Sequence, residues 1–104
     1  MPPTSPSRDA FKEFGSFLKT RRLKKNLTQK EVSEVLRYDS AQFLSNVERG
    51  VCSLPLAKIP VVMDLYGIDV RAMTDALLKI QRKIITHTIQ RSQVSLSKKK
   101  TFKR

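Results

Sequence analysis

Cysteine and histidine are nearly missing from this 104-residue chain, in which Cys52 and His87 each stand alone. A single thiol excludes an internal disulfide framework, and one thiol with one imidazole excludes a Cys-cluster or conventional zinc site. No metal and no cofactor is therefore expected. No apolar run approaches the roughly 18 residues that a membrane helix needs, so no membrane partner is expected. The N-terminal residues lack the continuous apolar core of a secretory signal. Gly-rich phosphate loops and Cys/His nucleophile arrangements are absent, and no carboxylate pair stands apart from helix caps, which argues against an enzyme. Acidic residues are scarce as well: 9 Asp+Glu face 21 Lys+Arg, a formal net charge of +12. Such an excess favours polyanionic partners.

What remains describes an all-α protein of one domain. Residues 1–9 hold three of the five prolines beside Ser and Thr and read as a flexible N-terminal arm. From Ala10 to Lys25, Phe11, Phe14, Leu18 and Arg22 follow a helical stripe widened by Phe17 and Leu23. Asn26 suits a left-handed stop, and Thr28 with Glu31 forms a capping box that opens a second helix ending at Leu36 or Arg37. That helix buries Val32, Val35 and Leu36. After a break at Tyr38, either Asp39 with Gln42 or Ser40 caps a third helix, which Gly50 ends. Pro55 and Pro60 are wrong for a helix interior, where each costs about 3 kcal/mol, so they suit a connection and a first turn. A fourth helix follows from about Ala57 to Leu65, with Val61, Val62 and Leu65 inward. Asp69 caps a fifth, running to about Gln90. Residues 91–104 carry six basic residues and no acid, and read as a disordered basic tail adding salt-dependent attraction to polyanions. The compact domain thus spans residues 10–90.

The segment Leu27 to Gly50, LTQKEVSEVLRYDSAQFLSNVERG, carries the most specific pattern. Leu27-Thr28-Gln29, Glu31, the small Ser33, apolar Val32, Leu36, Leu44 and Val47, and Glu48-Arg49-Gly50 together resemble the helix-turn-helix of the Cro and phage-repressor family, the lambda-repressor-like DNA-binding domain. With the flanking helices the resemblance covers roughly residues 14–78. Arg37-Tyr38-Asp39-Ser40 replaces the family's usual turn and is one residue longer. The resemblance implies a compact five-helix domain with an extended C-terminal helix, whose third helix, 40–49, lies in the major groove of double-stranded DNA.

Steps of 100° put Ala41, Leu44, Val47 and Glu48 on one side of that helix and Gln42, Ser45, Asn46 and Arg49 on the other. Gln and Asn amides donate and accept together, as adenine requires, so Gln42 and Asn46 are the leading base readers. Ser40 and Ala41 sit at the end nearest the groove floor, Ser45 shares the polar face, and Phe43 either touches a thymine methyl or packs on helix two or four. The alternative for Gln42, Ser45 and Asn46 is an ordinary solvated face. Phosphate contacts fall to Gln29, by resemblance, and to Arg49, Ser53 and Lys58 on the other flank. The family also implies an ion pair between Arg22 and Glu48 beneath the reading helix, a structural role.

In the fifth helix Val70, Met73, Leu77, Ile80, Ile84 and His87 are three and four apart, thickened by Leu78, Ile85 and Ile89. The second half has no evident partner inside so small a domain. A homodimer seam through Leu77, Ile80, Ile84 and Ile85 is expected, which suits two half-sites about 34 Å apart. The alternative is that this helix folds back over the first and covers Phe11 and Phe14. The expected function is a small dimeric, sequence-specific transcriptional repressor in the cytoplasm, associated with the nucleoid. The competing reading is an antitoxin or protein-interaction module of the same fold, gripping a protein partner with its fifth helix.

Overall fold

The computed structural model describes residues 6–99, with side chains described over residues 9–92. Five α-helices follow in order: α1 (Pro6–Lys24), α2 (Gln29–Val35), α3 (Gln42–Glu48), α4 (Ile59–Tyr66) and α5 (Val70–Lys99). A 3-10 turn at Leu56–Lys58 leads into α4, and the described residues contain no strand. Two expected boundaries are corrected. Pro6 stands at the first helical position, where its missing N–H costs nothing, so residues 6–9 belong to α1. Residues 91–99 belong to α5, which meets neither Pro nor Gly between Val70 and Lys99. The rest of the arm and the tail, 1–5 and 100–104, lies outside the described residues.

The helix ends obey local chemistry. Thr28 accepts a hydrogen bond from the Glu31 amide at 3.0 Å while the Glu31 carboxylate accepts from the Thr28 amide at 2.8 Å, the reciprocal capping box. Four helices stop alike, in the Schellman pattern: Leu27, Tyr38, Val51 and Ile68 donate amide bonds to Arg22, Ser33, Asn46 and Met63. The residue before each donor, Asn26, Arg37, Gly50 and Gly67, is left-handed. Arg37 at φ +68° occupies a position that favours Gly and lets the chain reverse between α2 and α3. The Asp39–Gln42 box does not form; the Ser40 hydroxyl accepts from the Gln42 amide at 3.2 Å instead. Asp69 opens α5 by accepting from the Ala72 amide at 2.8 Å.

Side chains four apart on α1, Ala10, Phe14 and Leu18, line the core, and Arg22 continues their stripe. Val32 and Leu36, Leu44 and Val47, Leu54, Ile59, Val62, Tyr66, Ile68, Met73 and Ile80 complete it. Val35, Leu23 and Val70 are exposed, contrary to expectation, as is Val61 in part; Ser33, Ile59 and Tyr66 take inward places. The first half of α5 folds back along α1, burying Phe14 and half-covering Phe11. This was the alternative to a free seam. Ile80 is thereby buried, with Leu77 and Ile84 packed against the same core, and only Ile85 of the four expected seam residues is exposed.

Glu13 of α1 reinforces this pairing, lying 3.7 Å from Lys79 and bonded to Lys83 of α5. The hydrogen bond from Lys83, joined by the charges of both lysines and opposed by slight desolvation, holds the Glu13 carboxyl below its ordinary 4.5. A depressed carboxylate stabilises the fold fully above its unfolded value and loses that contribution as pH falls through its folded value. Because the site is open to solvent, the effect is small. Glu13→Gln is expected to lower the urea midpoint slightly at neutral pH, and the gap should close in acid.

Candidate nucleic-acid interface

The base of the site is a buried ion pair. Arg22 of α1 donates through Nε to Glu48 Oε2 at 2.6 Å and through Nη2 to Oε1 at 3.1 Å, with the two side chains 6% and 2% exposed. Arg22 Nη1 also donates to the Leu27 carbonyl at 2.6 Å, and Gln29 Nε2 donates to Glu48 Oε1 at 2.9 Å. One carboxylate thus holds the end of α1, the start of α2 and the end of α3 together. The hydrogen bonds that Arg22 donates to Glu48, reinforced by the carboxylate charge and opposed by desolvation, raise the guanidinium above its ordinary value. Tyr66 packs nearby; burial, with Glu48 adding to it, pushes its phenol upward, so the ring stays neutral.

Glycines set how closely α1 approaches α3. A Cβ at Gly15 would lie 2.4 Å from the Glu48 carbonyl oxygen and 2.5 Å from that of Val47, so the two helices touch backbone to backbone there. At Gly50, φ is +79° and a Cβ would fall 2.7 Å from the Lys12 Cα.

On this base α3 turns Leu44, Val47 and Glu48 inward and leaves a polar outer face. Gln42 and Arg49 are exposed there, with Ser45 and Asn46 half-buried beside them. Asn46 Oδ1 accepts from Gln42 Nε2 at 3.0 Å and from Arg49 Nη2, joining three side chains along the helix. Two short helices, α2 and α3, separated by a tight turn and carried on α1 by a buried ion pair, form a unit that displays one amide-rich helix face. A family model described as "Helix-turn-helix domain" matches residues 13–77. The chain belongs to the helix-turn-helix domain family. A search of the curated proteins and a search of the solved structures each found no match.

Within this helix-turn-helix domain the expected site residues fall into two groups. Gln42, Ser45, Asn46 and Arg49 share the outer face of α3; exposed Ser40 accepts from the Gln42 amide ahead of it, and half-buried Ala41 stands at its N-cap. Gln29 is at the start of α2, its amide already leaning on Glu48, and Ser53 is exposed in the loop before the 3-10 turn. Two residues are half-buried beside Tyr38. The Phe43 ring sits 4.5 Å from that of Tyr38, in the turn between α2 and α3. Lys58 Nζ donates to the Leu36 carbonyl at 2.9 Å, at the end of α2, and lies 5.3 Å from the Tyr38 ring. Both contacts meet at Tyr38, which stands in the turn between α2 and α3.

Gly15 was missed by sequence reasoning, although a Gly inside a helical stripe costs about 1 kcal/mol relative to Ala and so marks a close approach. Among the described residues no group of three or more His, Cys, Asp or Glu side chains could hold a metal ion. Among the described residues no helix is long and apolar enough to cross a membrane.

Proposed function

We propose that the chain is a sequence-specific DNA-binding transcriptional regulator, a small repressor of the Cro and phage-repressor kind that inserts the outer face of α3 into the major groove. The observation that carries this reading is the cluster of Gln42, Asn46 and Arg49 on a face whose opposite side is locked into the core. Side chains that read bases must be held by a rigid scaffold, and the Arg22–Glu48 pair and the Gly15 contact supply it. Gln29, Ser53 and the amides opening α2 are placed to position phosphates, while the +12 charge adds sequence-independent attraction.

The regulator acts as a homodimer through the outward side of α5. Leu78, Ile85 and Ile89 are each more than half exposed and lie within about 40° of one another at 100° per residue, opposite the face that Met73 and Ile80 press onto α1. A twofold pairing of this stripe would present two copies of α3 to successive half-sites. Ile85→Glu is expected to give a folded monomer by light scattering, melting somewhat below the native dimer and without dependence on concentration. A native-sized dimer would place the seam elsewhere.

Selection of duplexes from a random pool by the purified protein at near-physiological salt tests the reading as a whole. A motif with twofold symmetry is expected. Retention of DNA without any enriched motif would contradict it and turn attention to α5 as the grip of a protein-interaction module.

A further inference from the structure

The hydrogen bonds along α3 restrict which atoms its outer face can offer a base. A guanidinium only donates, so the Asn46 atom that faces Arg49 must be the amide oxygen. Gln42 faces the same oxygen and therefore turns its nitrogen toward it, at 3.0 Å. A carbonyl oxygen has two lone pairs, and both are occupied. Asn46 is left with the two N–H donors of Nδ2, and Arg49 keeps further donors beside them. Gln42 differs, since its Oε1 and its second N–H both remain free.

In the major groove adenine offers an acceptor at N7 beside a donor at N6, whereas guanine offers two acceptors, N7 and O6. An Asn whose oxygen is engaged cannot accept from adenine N6, and two adjacent sources of N–H suit guanine. Cytosine presents a donor and is repelled, and thymine supplies only O4 next to a methyl group. We propose that Asn46 and Arg49 form a single donor-only reading head that selects guanine, while Gln42 alone keeps the donor–acceptor pair that adenine requires. This reverses the expectation for Asn46 and moves Arg49 from a phosphate contact to base recognition. It rests on the major-groove reading of α3.

The test compares duplexes selected by the native protein, Asn46→Ala and Arg49→Met from the same random pool. Asn46→Ala identifies the base pair that Asn46 reads, as the position whose preference it flattens. At that position the native protein should favour guanine over adenine by about tenfold. Arg49→Met, which keeps a long stem but has no donor, frees one lone pair of Asn46 Oδ1 and should move the preference toward adenine. The adenine read by Gln42 should persist in both variants. Adenine at the Asn46 position in the native motif, guanine unchanged in Arg49→Met, or no position flattened by Asn46→Ala would each overturn the reading head while leaving the major-groove reading in place. Absence of a motif from all three pools would overturn both.

Discussion

Glu48→Ala is expected to destabilise the domain by about 3–5 kcal/mol, because it strands the Arg22 guanidinium in the interior with only the Leu27 carbonyl as partner. A domain of this size has roughly 5–15 kcal/mol in all, so the melting temperature should fall by roughly 15–30 °C. The charges themselves are not what the fold requires. Arg22→Leu combined with Glu48→Leu removes both and is expected to recover most of the loss, since an apolar replacement of a buried pair is often neutral or stabilising. The double variant should nonetheless hold DNA less tightly, for Gln29 loses the carboxylate that orients its amide. Calorimetry on the three proteins, with affinity for a fixed duplex, separates the two roles. A Glu48→Ala protein that melts like the native one would contradict the buried pair.

Gly15→Ala should be nearly as costly. In an isolated helix the exchange gains about 1 kcal/mol, yet here the new methyl meets two backbone carbonyl oxygens at 2.4 and 2.5 Å, and backbone cannot swing aside. The clash wins, and a net loss of at least about 2 kcal/mol is expected, with α1 pushed off α3. The moved segment is the end of α3 that carries Asn46 and Arg49, so sequence preference should weaken even below the melting temperature. Stabilisation by Gly15→Ala would show that the two helices do not meet there.

Much of this was legible in the sequence wherever a local rule decides the outcome. The Thr28–Glu31 box, the stops at Asn26 and Gly50, the cap at Asp69 and the placement of Pro60 need only neighbouring residues. The inward face of α3 and the Arg22–Glu48 pair were also foreseeable, the first from periodicity and the second from the family pattern. What escaped depends on contacts distant in the chain. Spacings of three and four on α5 merge two stripes that the structure separates by half a turn, Met73 and Ile80 toward α1 and Leu78, Ile85 and Ile89 away from it. The contacts of Lys58 and Phe43 with Tyr38 depend on the turn between α2 and α3, which no periodicity describes. Hydrogen bonds between exposed side chains, such as those on Asn46, leave no periodic trace at all.

The central claim is that the outer face of α3 reads base sequence, and Gln42→Ala tests it most directly. Its side chain is exposed and belongs to no core contact, so folding should be untouched. Affinities of the native and variant proteins for the selected duplex and for a scrambled one, taken at one salt concentration with melting temperatures alongside, give the ratio that matters. The account predicts that this ratio falls about fivefold or more, with nonspecific affinity and melting temperature unchanged. An unchanged ratio would contradict it.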